Sequence, residues 1–166
     1  FKDSYNDIKV KGYLDQLENN ILDNIQIFKG VKPIGETTSE GYIIDYFKEY
    51  DVNVVLDNSD TNECPIIIET SPTYSNMFGA IERMNDGKGN YYSDFTNIKA
   101  GSLLRANGGY IVLNVMHLFE EHGVWKTLKR ALTYNKIEFQ DSPSLFQISN
   151  ITLKPEPIES NVKVIF

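Results

Sequence analysis

The residues with the most chemical potential lie between positions 101 and 115. Gly101-Ser-Leu-Leu-Arg-Ala-Asn-Gly-Gly-Tyr110 is a turn of small residues, and Ile-Val-Leu-Asn-Val115 follows it. A short apolar run after such a turn predicts a buried strand over 110–113 with a polar side chain at its carboxyl end. In an open α/β sheet, ligands bind beyond the carboxyl ends of the strands. A carboxylate there would hold magnesium or polarise water beside a bound triphosphate. This chain carries Asn114 and Val115 instead. An asparagine amide oxygen coordinates weakly, and valine can do neither task. On the residues alone, the place is either a degenerate site or purely structural.

Other reactive types are thinly spread. A phosphate-binding Gly-x-x-x-x-Gly-Lys-Ser/Thr loop needs backbone donors, a lysine and a hydroxyl. The nearest fragment, Gly87-Lys88-Gly89-Asn90, lacks the spacing and the hydroxyl and reads as a solvated loop. His117 and His122 are five apart, whereas ligands on one helix face sit three or four apart, so no metal pair is expected. The single Cys64 excludes an internal disulfide, and its place before Pro65 and an isoleucine run predicts a small buried residue. No Gly-x-Ser-x-Gly elbow is present, and no serine has an identifiable base. Lys126, Lys129 and Arg130 share one face of a predicted helix, with Lys136 beyond them. They read as a solvated or intersubunit salt-bridging face, the alternative being an anion-facing Arg130.

These residues need an α/β scaffold to position them. The chain has 166 residues, enough for one ordinary domain or a domain with a helical extension. Its net charge of −7 repels phosphate backbones, so nucleic-acid partners are not expected, a local basic patch aside. No apolar run approaches the ~20 residues that span a bilayer. The N-terminus lacks a signal-peptide core. The expectation is a soluble cytoplasmic chain with no membrane partner.

Residues 4–29 predict one amphipathic helix, capped by Ser4 or Asn6, with Val10, Leu14, Leu17, Ile21 and Phe28 on its apolar stripe and a polar Asn24 interrupting it. It reads either as packed on its own domain or as the end of a longer coiled coil. Residues 30–50 are a polar, glycine-punctuated connector in which 42–47 could dock. Beyond it, strands are predicted at 52–56 and 65–70, with turn residues at 57–62 between them. A short helix follows over 76–83, then a loop at 86–90, a helical turn at 102–106 and the strand at 110–113. A helix over 116–134, broken near Gly123, carries Trp125, Leu128 and Leu132 on one stripe. Hairpin strands are predicted at 137–139 and 146–153, and 162–166 is apolar. A chain that stops inside a strand is expected to be cut from a larger protein.

The segment from position 50 onward resembles the AAA+ module of Lon-like ATP-dependent proteases, in the bacterial subgroup with a long helical insertion. Asp51-Val-Asn-Val-Val-Leu-Asp-Asn-Ser59 is similar to that module's first strand after the insertion. Glu69-Thr-Ser-Pro-Thr-Tyr-Ser-Asn-Met-Phe-Gly-Ala-Ile-Glu82 resembles the family's Asn-Pro-Thr-Tyr-x-Asn-Leu-Phe-Gly-x-Ile-Glu segment. The run from Asp94 through Gly101-Ser-Leu-Leu-Arg-Ala-Asn-Gly-Gly-Tyr110 to Leu113 resembles the approach to the Walker B strand. Trp125-Lys-Thr-Leu-Lys-Arg-Ala-Leu132 resembles the helix after it. Leu153-Lys-Pro-Glu-Pro-Ile158 and Val162-Lys-Val-Ile-Phe166 resemble the strand that leads to the first sensor.

The resemblance implies a partial AAA+ sheet over 50–166, preceded by the tail of the helical insertion over 1–49. The phosphate loop would lie upstream, the sensor downstream and a Ser/Lys proteolytic dyad in a later domain. ATP and magnesium are then cofactors of the parent protein, with none expected on this chain. Unfolded protein substrates and neighbouring subunits are the implied partners, and Tyr74, Met77 and Phe78 either pack in the core or face a pore. Asn114 stands at the position of the family's Walker B aspartate, and Val115 at that of the glutamate AAA+ ATPases use. No catalytic residue and no metal ligand is expected within this chain. A non-catalytic interaction scaffold is the alternative.

Overall fold

In the computed structural model the described residues are 7–30, 35–37, 43–85, 91–139 and 154–166. They form two compact units, Phe1–Val52 and Asn53–Phe166.

In the first unit, helix α1 spans Ile8–Asp23 and α2 spans Ile25–Phe28. The single predicted helix is therefore divided, and the division falls on Asn24. The Asn24 side-chain amide donates to the Asn20 carbonyl (3.0 Å) and to Asn20 Oδ1 (3.1 Å), competing for groups that a continuing helix would use. The described helix is capped by Asp7, whose Oδ1 accepts from the backbone N–H of Lys9 (2.7 Å) and Val10 (3.3 Å), while the predicted caps Ser4 and Asn6 lie outside the described residues. No residue of α1 is fully buried. The connector contributes a small antiparallel pair, β1 (Gly35–Thr37) with β2 (Ile43–Asp45). A 3-10 turn at Lys48–Tyr50 follows. Phe28 packs edge-on against Phe47 and Tyr50, with ring centroids 5.3 and 5.1 Å apart, and Tyr50 donates to Asn20 Oδ1.

The second unit is built on a three-stranded parallel sheet of β3 (Ile66–Glu69), β8 (Tyr110–Leu113) and β11 (Lys163–Ile165), with β8 in the centre. Ile111 lies between Ile67 and Val164, and Val112 between Ile68 and Ile165. Chain order and spatial order step in the same direction, so right-handed crossovers deliver both connections to one face. That face carries Ile111 and Leu113 into a core completed by Met77, Phe78, Leu103, Leu118, Val124, Leu128 and Ile137. On the opposite face Ile66 is 64%, Ile68 71% and Ile165 48% exposed. The predicted buried strand is thus buried on one side: Tyr110 and Val112 are half-covered, Ile111 and Leu113 fully.

The elements between β3 and β8 turn tightly. Helix α3 (Tyr74–Phe78) starts on Thr73, whose hydroxyl accepts from Asn76 N–H (3.3 Å), and stops at Gly79. It is shorter and earlier than the helix predicted over 76–83, because Gly79 takes φ +89 and the chain then enters β4 (Ala80–Ile81). Strand β5 (Met84–Asn85) pairs with β6 (Tyr91–Tyr92) and β4 with β7 (Ile98–Lys99), both antiparallel. The loop predicted at 86–90 lies outside the described residues. Helix α4 (Ser102–Arg105) opens at Gly101, where an added Cβ would stand 2.3 Å from Gly79 N and 2.5 Å from Met77 O. Backbones this close admit no side chain between them.

The predicted strand at 52–56 forms no ladder. Asn53 ties this stretch instead: its amide donates to the carbonyls of Phe95 (2.8 Å) and Ile98 (3.1 Å), while Val55 and Leu56 pack on the core. The helix predicted over 116–134 is two, α5 (Val115–Glu120) and α6 (Val124–Tyr134), broken where Gly123 adopts φ +78. Leu128 is buried, and Trp125 meets Phe119 and Phe166 at 5.2 and 6.1 Å. Strand β9 (Lys136–Ile137) pairs with β10 (Ile158–Glu159), and the hairpin partner predicted at 146–153 lies outside the described residues.

Candidate functional site

An open cleft of about 460 Å³ lies beyond the carboxyl ends of β3 and β8. Its lining includes Glu69 and Thr70 from the end of β3, Asn114, Val115 and His117 from β8 into α5, and Phe166 after β11. The sequence-predicted pair therefore stands where an α/β sheet presents ligands.

Asn114 is the N-cap of α5. Its Oδ1 accepts from Met116 N–H at 2.9 Å, and its carbonyl receives Leu118 N–H at 3.1 Å. The amide oxygen that could touch a cation is already engaged in holding the helix start. Val115 is 36% exposed, and its side chain offers no polar atom. Nothing at these two positions can bind magnesium strongly or take a proton from water, so the donor set does not fit a magnesium–triphosphate group.

Glu69 is the only carboxylate among the described residues that line the cleft, and it is committed elsewhere. Its Oε1 accepts from Ser71 N–H at 2.9 Å, and its Oε2 accepts from the Ser102 hydroxyl. Arg105 Nη2 donates to Ser102 Oγ at 2.8 Å and sits 3.9 Å from Glu69 Oε2. The Ser102 hydroxyl is fully buried and uses both its donor and an acceptor position here. Asn76 extends the network by donating to the Ser71 carbonyl at 2.8 Å. The cluster locks the end of β3 to the start of α4 and to the turn before α3. A carboxylate held in this way keeps one orientation, and releasing it to a ligand would strand Ser102 and Arg105. Sequence reasoning did not single out this trio. The signal was an acid ending an isoleucine run and a Ser-x-x-Arg spacing within one helical turn.

The remaining candidates are dispersed. His117 lines the cleft and His122 lies in the turn after α5. Among the described residues no group of three or more His, Cys, Asp or Glu could hold a metal. Cys64 is exposed, against the buried reading. It precedes β3 at the surface, with its thiol 3.6 Å from the Gly108 carbonyl. Arg130 pairs with Glu138 at 3.2 Å beside a separate cleft of about 240 Å³, and Lys129 lies over the Trp125 ring at 5.4 Å. Neither lines the cleft at the sheet end. Met77 and Phe78 are buried in the core and Tyr74 leans on Phe78 at 4.9 Å, so the core-packing reading holds for the buried pair.

A family model described as "LonB-like, AAA domain" matches residues 62–166, more than half of the chain. No curated protein matches it.

Proposed function

The chain belongs to the family of LonB-like AAA domains, and from that premise we propose that it is the regulatory and oligomerising AAA+ segment of a Lon-like ATP-dependent serine protease. The match over 62–166 carries this reading. In it, residues 1–49 are the tail of a helical insertion and 50–166 a partial nucleotide-domain core. The parent protein passes unfolded protein to a peptidase chamber in the cytoplasm, in contact with neighbouring subunits and not with nucleic acid or membrane, and ATP and magnesium in it would be held by residues outside 1–166, since Asn114 and Val115 do not fit them. Among the described residues no helix is long and apolar enough to cross a membrane.

Residues 1–166 supply the sheet and its carboxyl-end cleft, but among the described residues that line it the one carboxylate, Glu69, is engaged, so we assign no hydrolytic step to them. Sequencing the gene on both sides tests the parentage. A Gly-x-x-x-x-Gly-Lys-Ser/Thr loop before residue 1 and a Ser/Lys peptidase domain after residue 166 are expected. Unrelated sequence on both sides would refute it.

One observation favours a second reading, a non-catalytic interaction scaffold: Asn114 Oδ1 serves the α5 cap and Val115 is apolar. The two separate on an ATPase assay of the full-length gene product. Turnover supports the protease segment, and its absence in a ring-forming, folded protein supports the scaffold.

A further inference from the structure

We draw no further inference here: the strongest candidate, the apolar face of the three-stranded parallel sheet on which Ile66, Ile68 and Ile165 stand exposed, carries nothing because nothing in the structure shows what covers it.

Discussion

At the residue scale, the carboxyl end of the sheet is held by polar side chains that serve the backbone. Asn114 closes α5, and Asn114→Ala should lower stability by about 1 kcal/mol, read as a shifted denaturation midpoint. Asn114→Asp keeps a competent cap and places a negative charge at a helix start, so the fold should be retained. No ATPase activity should appear in that variant of this chain, because one carboxylate does not replace a phosphate-binding loop. Phosphate release above background would overturn that account. Ser102→Ala should cost about 1–3 kcal/mol, since it leaves Glu69 and Arg105 short of a buried partner. An unchanged melting curve would show that the trio is incidental. Farther out, Asp57 accepts from Ser59 N–H at 2.9 Å, and this hydrogen bond holds its carboxyl below the ordinary aspartate value. A lowered folded pKa stabilises the fold above the unfolded value, and that contribution is lost as the pH falls through the folded one. Titration followed by NMR should find Asp57 among the lower-titrating carboxyls, and the shift should vanish on unfolding.

At the element scale, glycines decide where segments start, stop and touch. Gly101→Ala would place a Cβ against the backbone of Gly79 and Met77 and should destabilise the second unit by about 4 kcal/mol or more. Gly12 is the internal control. It sits within α1, and a methyl group added there would meet nothing within 4 Å, so Gly12→Ala should stabilise the helix by about 1 kcal/mol. Circular dichroism melts of the two variants should move in opposite directions, and movement in the same direction would refute the packing argument. The same logic explains why no helix spans 76–83. The apolar periodicity there is divided between a five-residue α3 and β4, because Gly79 takes a positive φ between them.

At the scale of the whole molecule, the sheet is covered on one side. Parallel sheets are ordinarily buried on both faces, and here Ile66, Ile68 and Ile165 remain exposed on one. Bare apolar surface and open strand edges favour association. Ile68 is 71% exposed, so Ile68→Lys should leave the melting temperature of the isolated chain nearly unchanged, and a large drop in the circular dichroism melt would show that this face is packed. The core on the other side is conventional, so Leu128→Ala should cost about 2–5 kcal/mol.

Some of this was settled by local pattern. The central strand and the break at Gly123 depend on residues adjacent in sequence, where apolar period and backbone preference act without help from the rest of the chain, whereas the single helix predicted over 4–29 is divided at Asn24. The ordered motifs from Glu69 to Ile165 likewise sufficed for the family, and Asn114 with Val115 marked the carboxyl end of the strand. Tertiary structure decided what depends on distant partners. Residues 52–56 have strand-like composition, but the Asn53 amide meets the 95–98 backbone, and no ladder forms. Lys136–Ile137 pairs with Ile158–Glu159, across a separation that local pattern does not specify. The Glu69–Ser102–Arg105 cluster joins positions 33 residues apart. Whether Asn114 is free or engaged also follows from how α5 begins, since a side chain that caps a helix has already used the oxygen that chemistry would need.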